Sequence, residues 1–448
     1  MSRRITRRDC LKSAAAATAL TILPAGLARG YAANEKINIG IIGAGGRGGA
    51  NLGGVAAQKD AVNIAALCDV DRGHLDGAAR GFPEAKKYAD FRKLLDIEKN
   101  LDAVVVSTAD HCHAAASVTA MKRGLHCYCE KPLTYSVHEA RVMTEIAREK
   151  KLVTHMGTPS RGEEGTIRAA EVIRSGAIGQ VKEVHFWTNR PIWPQGYDRP
   201  AGEDPVPESL DWNLWIGPAP LRPFKATWPA GHAVYQSQWD QRQVYHPFVW
   251  RGWWDFGTGA LGDIAPHQWS PAYWSLELQA PESAEVVETS GPVTEMFPAA
   301  TILRFNFPAQ GDRPAVPIYW YDGGKRPSPD LVGMQRVPTS GMLIVGTKAT
   351  LGTGNKSASS PEFQSVPKTL RRCGGMHEEW IAGIKAGDPE RPSCPFSYAG
   401  PLTEAYLLGN IALKVGQKIE WDPKAFRITN CPEANQYLRR EYRQGWEL

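Results

Sequence analysis

The chain after residue 35 alternates short apolar runs with stretches of helical spacing. Runs of four to seven apolar, β-branched or small residues predict buried strands at 36–42, 62–68, 103–106, 125–129 and 152–155. The periodicity between them predicts helices at 46–58, 92–95, 113–123 and 136–149. Because strands and helices alternate, we predict a parallel sheet with helices on both faces, an α/β domain over residues 34–157.

The pattern changes in the second part of the chain. An amphipathic helix at 166–175 precedes a strand at 181–188, and the proline-, glycine- and aromatic-rich residues 190–250 predict long ordered loops. Further strands are predicted at 284–289, 300–307, 318–321 and 341–345, followed by helices at 376–386 and 401–417. Strands in succession favour a mainly antiparallel open sheet, so we predict that residues 158–448 form an α+β domain for substrate binding and oligomerisation.

The positive charge of the chain is concentrated at its beginning. The formal net charge is +5, and residues 1–32 hold six basic residues and one acidic residue, so the whole excess lies there. The remainder has no basic face for nucleic acid, and we predict no nucleic-acid partner. Arg7 and Arg8 precede a mildly apolar, alanine-rich stretch, a pattern typical of a twin-arginine export signal. We therefore predict a signal peptide at 1–33, a periplasmic or otherwise exported protein, and no stable membrane span once the signal is removed.

A glycine-rich turn joins the first predicted strand to the first predicted helix. It reads Gly-Ala-Gly-Gly-Arg-Gly at 43–48, the fingerprint of a Rossmann dinucleotide-binding domain. Gly43 would allow the tight turn, Gly45 the approach of a pyrophosphate, and Gly48 the packing of helix on strand. The N–H groups at the start of the helix would then bind the phosphates. The other residues expected to contact the cofactor are Gly46, Arg47, Thr108, His111, Glu130 and Lys131.

The residues after the second strand bear on the choice of dinucleotide. Asp69 ends this strand, at the position where a carboxylate binds the ribose hydroxyls of NAD and repels the 2′-phosphate of NADP. Arg72 lies close by and would soften that preference. We expect NAD, with NADP as the alternative.

Three further motifs carry a family resemblance. They are Glu-Lys-Pro at 130–132, Gly-Ala-Ile-Gly at 176–179 and Gly-Asp-Ile-Ala-Pro-His at 262–267. With the glycine fingerprint, they resemble the glucose–fructose oxidoreductase/inositol dehydrogenase (Gfo/Idh/MocA) family over about residues 36–420. The stretch 187–194 is similar to an exported subgroup of that family. Ala265 and Ser270 depart from the family pattern, which leaves the substrate contacts open.

The resemblance implies a catalytic site and a class of substrate. Lys131 would stabilise the developing alkoxide, His267 would act as general acid and base, and Asp263 would orient the substrate or the histidine. If residues 262–267 are helical, the four-residue spacing puts Asp263 and His267 on one face. The implied substrate is a hydroxyl of a sugar, cyclitol or glycoside. The second-domain sheet is where family members oligomerise, so a homo-oligomer is expected.

Tryptophans are concentrated in the predicted loop region. Eleven of the fifteen lie between residues 187 and 274. Aromatic faces stack on sugar rings, so Trp193 and Trp253, together with Arg161, are candidate substrate contacts; the alternative is that most of these rings pack the loops or bury a subunit interface. His-x-His at 111–113 and Cys-x-Cys at 127–129 lack the spacing of a zinc site, and we predict no metal.

Export and redox chemistry together narrow the predicted function. Because free nicotinamide cofactor is scarce outside the cytoplasm, we expect tightly bound NAD that is recycled within the site. We predict an NAD(P)-dependent oxidoreductase as the function. The sequence also leaves open a redox-neutral NAD-dependent glycosidase, which oxidises, eliminates, hydrates and reduces back, and a non-catalytic sugar-binding protein.

Overall fold

The computed structural model describes residues 35–236, 242–291 and 293–448, so the predicted export signal lies outside the described residues. The first domain contains a six-stranded parallel sheet with strand order β3-β2-β1-β4-β5-β6. Its strands are β1 Ile37–Ile42, β2 Val62–Cys68, β3 Lys86–Tyr88, β4 Ala103–Val106, β5 His126–Cys129 and β6 Thr154–Met156. Its helices are α1 Arg47–Ala56, α2 Arg72–Ala79, α3 Phe91–Ile97, α4 Asp110–Lys122 and α5 Val137–Glu149.

The centre of this sheet fixes where a ligand can bind. Strands β1 and β4 are adjacent and almost wholly buried, as expected for central parallel strands covered on both faces. The strand order reverses between them, so the loops after β1 and β4 run to opposite sides of the sheet. Such a reversal opens a crevice at the carboxyl ends of the strands, where open α/β sheets bind ligands.

The second domain is built on an eight-stranded sheet with strand order β12-β11-β7-β10-β9-β8-β13-β14. Strands β7 and β10 pair in parallel and the other neighbours are antiparallel, which confirms the prediction of a mainly antiparallel sheet. The strands are β7 Val181–Trp187, β8 Ser283–Thr289, β9 Thr301–Phe307, β10 Val316–Tyr321, β11 Gly341–Gly346, β12 Thr350–Gly352, β13 Ile419–Asp422 and β14 Arg427–Ile428. The helices are α6 Glu164–Arg174, α7 Trp212–Ile216, α8 Gly259–Gln268, α9 Ser270–Ser275, α10 Pro329–Val332, α11 Met376–Ala386 and α12 Phe396–Val415.

One face of the second sheet packs on helices. Residues of β9 alternate between buried and half-buried, the period of a strand with one covered face. Leu303 and Phe305 point to the covered face and share a core with Trp269 and with Tyr406 of α12. The opposite face carries half-buried side chains.

Residues near the end of the chain pack on the first domain. Trp380 and Ile384 of α11 belong to the core on one side of the parallel sheet. Phe396 and Trp446 belong to the core on the other side. The chain therefore returns to the first domain after it has completed most of the second.

Two element boundaries differ from the sequence-based expectation, and two short elements were not predicted. Helix α12 begins at Phe396 and contains Pro401, which the sequence interpretation placed at the helix start. Helix α4 begins at Asp110 rather than at His113. Strand β3 and helix α2 were not predicted, because β3 is three residues long and largely polar and α2 has one buried residue. Within the described ranges, no helix is both long and apolar enough to cross a membrane.

Candidate active site

The glycine-rich loop makes a tight turn between β1 and α1. Gly43 has φ 85°, and a Cβ there would lie 2.6 Å from the carbonyl oxygen of Ser107. A Cβ at Gly48 would lie 2.0 Å from the carbonyl oxygen of Gly43. These contacts match the turn and packing roles that the sequence predicts for the two glycines. Gly46, also at positive φ, has open space in front of it and directly precedes the first turn of α1.

Asp69 is tied to this loop. Its Oδ2 accepts hydrogen bonds from the backbone N–H groups of Ala44, at 2.8 Å, and Gly45, at 3.1 Å. The carboxylate therefore lies beside the turn, as expected for a group that binds ribose hydroxyls. Arg72 opens α2 with its side chain exposed.

A groove of about 340 Å³ runs from the glycine loop along the carboxyl ends of the strands. Thr108 and His111 line it from the β4 side, and Trp250 and Arg251 line it from the second domain. The ring nitrogens of His111 lie 3.2 Å and 3.0 Å from the backbone oxygens of Phe256 and Trp215. Burial lowers the pKa of His111 to about 3, so the ring is neutral and donates its single N–H to one of these two oxygens.

The residues considered for zinc are engaged elsewhere. The ring nitrogens of His113 lie 2.7 Å and 3.1 Å from the backbone oxygens of Pro132 and Thr108. A different group, Asp71, His74 and His246, brings its potential ligand atoms within 4.8 Å of one another beside the groove. Asp71 and His246 already form a hydrogen bond of 3.2 Å.

Glu130, directly after β5, forms hydrogen bonds with residues of helix α1. Its Oε1 accepts from Arg47 Nε at 2.8 Å and from Asn51 Nδ2 at 3.0 Å, and its Oε2 accepts from the Lys131 backbone N–H at 3.1 Å. Because Glu130 is buried, these bonds hold the start of the Glu-Lys-Pro element rigidly beside the glycine loop.

Lys131 and Asp263 form a close ion pair across the two domains. Lys131 Nζ donates to Asp263 Oδ1 at 2.6 Å and to the Asp263 backbone oxygen at 3.1 Å. Arg251 Nε donates to the same Oδ1 at 3.3 Å. Burial alone would raise the pKa of Asp263, but the two cations outweigh burial and lower that pKa to about 2. Asp263 is therefore ionised at neutral pH.

His267 lies one turn beyond Asp263 on α8, as the spacing predicted. Its Nδ1 is 3.0 Å from Thr158 Oγ1. The side chain reaches solvent, yet partial burial of the ring and the Lys131 ammonium lower its pKa. The ring is therefore neutral at pH 7 and can accept a proton. In the described part of the chain its Nε2 has no hydrogen-bond partner, so this atom is available to a substrate.

A buried carboxyl group accompanies this cluster. Asp110, at the start of α4, accepts a hydrogen bond of 2.8 Å from Thr258 Oγ1. Burial raises the pKa of Asp110 to about 7, although the Arg251 and Lys131 cations oppose the shift. The sequence interpretation missed Asp110 and Arg251.

The comparisons with known proteins agree with this architecture. Residues 37–158 match the Gfo/Idh/MocA oxidoreductase family model for an NAD-binding Rossmann fold, and residues 192–301 match the model for the C-terminal alpha/beta domain of that family. The chain belongs to the Gfo/Idh/MocA oxidoreductase family. Inositol 2-dehydrogenase of Salmonella paratyphi B is 29% identical over 151 residues, which are 33% of this chain and 45% of that protein. The chain thus spans about half the length of the curated relatives it matches.

Solved structures of other proteins share this fold. The WlbA dehydrogenase from Bordetella pertussis, in complex with NADH and UDP-GlcNAcA, aligns with a TM-score of 0.58 and 16% identity over 87% of this chain and 99% of that one. The myo-inositol dehydrogenase from Lactobacillus casei, in complex with NAD(H) and myo-inositol, aligns with a TM-score of 0.55 and 15% identity over 87% and 97%. At this identity the likeness shows the fold.

In this Gfo/Idh/MocA protein, the two tryptophans predicted to contact substrate are interior side chains. Trp193 is 1% exposed, and its Nε1 donates to Gln195 at 3.0 Å. Trp253 is fully buried, and its Nε1 donates to the Val244 backbone oxygen at 2.6 Å. Neither ring offers a face to a sugar, so both pack the loops, which corrects the prediction. Arg161 donates to the Ser393 backbone oxygen at 2.9 Å and does not line the groove.

Proposed function

We propose that this protein is an NAD-dependent oxidoreductase that acts on a secondary hydroxyl of a sugar or cyclitol. One observation carries the proposal: Lys131 pairs with an ionised Asp263, a neutral His267 lies one helical turn beyond it, and Arg251, which bonds Asp263, lines the groove that begins at a dinucleotide-type glycine loop. Relatives named inositol 2-dehydrogenase and levoglucosan dehydrogenase support the substrate class.

The groove suits a dinucleotide. Gly46 leaves open space before the first turn of α1, whose N–H groups can bind phosphate, and Asp69 offers carboxylate oxygens to ribose hydroxyls. Gly43, Gly45, Gly46 and Asp69 would hold the phosphate and ribose parts, with Thr108 on the nicotinamide side. When bound, NAD supplies the acceptor for the hydride that leaves the substrate carbon.

The side chains supply position and proton transfer. Lys131 Nζ donates a hydrogen bond to the reacting hydroxyl oxygen and stabilises negative charge on it as the proton leaves. His267 Nε2 accepts that proton, and Thr158 bonded to Nδ1 fixes the plane of the ring. Asp263 holds the Lys131 ammonium group in place. The substrate carbon is oxidised from alcohol to ketone.

The test uses purified full-length protein and a panel of inositols, hexoses and anhydrosugars. Absorbance at the wavelength of reduced nicotinamide reports turnover, and substrates deuterated at the reacting carbon identify the site of oxidation by a primary isotope effect. Lys131→Met should remove turnover while cofactor binding persists, and Lys122→Gln, an exposed change on α4, is the control. Undiminished turnover in Lys131→Met contradicts the assignment.

We further propose that the protein is exported by the twin-arginine route with NAD bound as a non-exchanging group. The support is the arginine pair at 7–8 and the apolar stretch behind it. The double variant Arg7→Lys, Arg8→Lys should leave the protein in the cytoplasm. Protein purified from the exported fraction should retain nicotinamide through dialysis. An empty protein that turns over added NAD freely contradicts tight binding.

We also propose a homo-oligomer that uses the face of the second sheet opposite helix α12. Ile302 and Tyr319 lie half-buried on this face, and Val287 is 54% exposed. Light scattering on the purified protein measures the assembly. Tyr319→Lys should shift it towards the monomer, and a wild-type monomer at micromolar concentration contradicts the proposal.

A further inference from the structure

A second cavity lies behind the catalytic helix, separate from the cofactor groove. Its volume is about 290 Å³, and none of its lining residues lines the groove. It is bounded by α12, by the loop before α8 and by residues 437–441. We call it the Lys414 cavity and define it by Lys414, Arg439, Arg440, Trp254, Phe297 and Asn410.

The cations of the Lys414 cavity form no ion pair at contact distance within the described chain. Among the described residues, Lys414 has no hydrogen bond or ion pair, and its Nζ lies 4.6 Å from the centre of the Trp254 ring. Arg440 makes two long bonds of 3.5 Å and 3.4 Å to backbone oxygens and no ion pair within the described chain. A half-buried cation without a contact partner has lost part of its hydration. A bound anion would compensate for that loss.

Acidic residues near the cavity leave Lys414 without a contact partner in the described chain, whereas Arg440 interacts electrostatically with the buried carboxyl group of Glu139. Asp255 is paired with Arg222, and Glu441 is exposed to solvent. Burial lowers the pKa of Lys414 from its usual value, and nearby Asp255 opposes that shift. Such a net lowering is expected for a partly buried ammonium group without a contact partner. The cavity therefore keeps a net positive character.

The walls provide further groups for a ligand. The indole Nε1 of Trp254, the Nε of Arg440 and the Oδ1 of Asn410 are buried without a hydrogen-bond partner in the described chain. Asn410 is 8% exposed. Two donors and one acceptor suit a molecule that carries both an anionic group and hydroxyl groups. The rings of Trp254 and Phe297 add an apolar wall that fits the C–H face of a sugar.

We propose that the Lys414 cavity binds a small hydroxylated anion, a sugar carboxylate or sugar phosphate, at a site distinct from the catalytic groove. Asn410 Nδ2 donates to the Thr258 backbone oxygen at 2.9 Å, and Thr258 Oγ1 donates to buried Asp110. Asn410, in the wall of the cavity, thus lies two hydrogen bonds from the carboxyl group of Asp110, which interacts electrostatically with Lys131.

The experiment is isothermal titration calorimetry on the full-length protein with D-glucuronate, D-glucose 6-phosphate and D-glucose as probes. We expect at least one anion to bind at least tenfold more tightly than glucose, and the tighter one identifies the anionic group. Lys414→Gln should weaken that binding about tenfold to a hundredfold, the range for loss of a charged hydrogen bond. The exposed change Lys122→Gln should leave it unchanged.

Two further variants separate the cavity from the catalytic groove. Lys131→Met should retain anion binding, and Arg440→Gln should weaken it, with thermal unfolding used to verify that each variant is folded. Binding no stronger than that of glucose, binding unchanged in Lys414→Gln, or binding lost in Lys131→Met would each overturn the proposal. In the last case the anion occupies the catalytic groove.

Discussion

The ion pair between Lys131 and Asp263 should stabilise the folded protein by a measurable and pH-dependent amount. The pKa of Asp263 falls from 3.8 to about 2, and one pKa unit corresponds to about 1.4 kcal/mol, so the surroundings of ionised Asp263 contribute a net of about 2 kcal/mol at pH 7 after the cost of burial. Because the folded pKa is depressed, this contribution is complete above pH 3.8 and is lost as the pH falls through 2. About half of it should remain at roughly pH 3.

A double-mutant cycle isolates this contribution. We expect Asp263→Asn, Lys131→Met and the double variant to give a coupling energy of about 1–2 kcal/mol at pH 7. Urea unfolding, followed by tryptophan fluorescence and near-ultraviolet circular dichroism, measures each variant at pH 7 and again near pH 3. A coupling below about 0.5 kcal/mol at pH 7, or one that grows as the pH falls, would refute this reasoning.

The remaining predictions concern the loop, the base and a buried ring. Gly48→Ala should abolish nicotinamide binding, since the added Cβ would lie 2.0 Å from the backbone oxygen of Gly43. Gly53→Ala, where the added Cβ meets open space, should leave binding intact. The absorbance of bound nicotinamide measures both variants. His267→Gln should lower kcat about 10²–10⁴-fold. Wild-type activity should persist below pH 6.5, because the lowered pKa of His267 keeps its ring neutral there. A steep loss of activity at pH 6.5 would argue against His267 as the base. Trp253→Phe should cost about 2 kcal/mol in thermal unfolding with KM unchanged, and a raised KM at full stability would favour a substrate contact.

The fold was predictable where the chemical pattern is local. Strands Val62–Cys68 and Ala103–Val106 and helix Met376–Ala386 have the predicted bounds, because each is a continuous apolar run or a clear helical period. The start of α12 was not predictable from local preference. Pro401 is typical of a first helical turn, but the helix extends back to Phe396, which is held in the core of the first domain.

In the candidate site, too, the residues in local motifs were predictable and those brought together only by folding were not. Lys131, Asp263 and His267 could be found because they stand in short motifs with a recognisable spacing. Arg251 lies twelve residues from Asp263 in a loop without periodicity, and only folding brings its Nε within 3.3 Å of that carboxylate. Aromatic composition gave no indication of which tryptophans are buried, and Trp253 proved to be part of a packed aromatic cluster.

The segment from Arg440 to Trp446 has a consequence for how fast a bound dinucleotide can leave. Arg443 donates to the Gly217 oxygen at 2.6 Å and to Asn213 Oδ1 at 2.8 Å, while Trp446 packs on Phe91 and forms part of the groove wall. Widening the groove on this side requires these contacts to break together, which is a local unfolding event. The residence time of the cofactor should therefore shorten steeply with temperature and with low concentrations of denaturant, well before the rest of the protein unfolds.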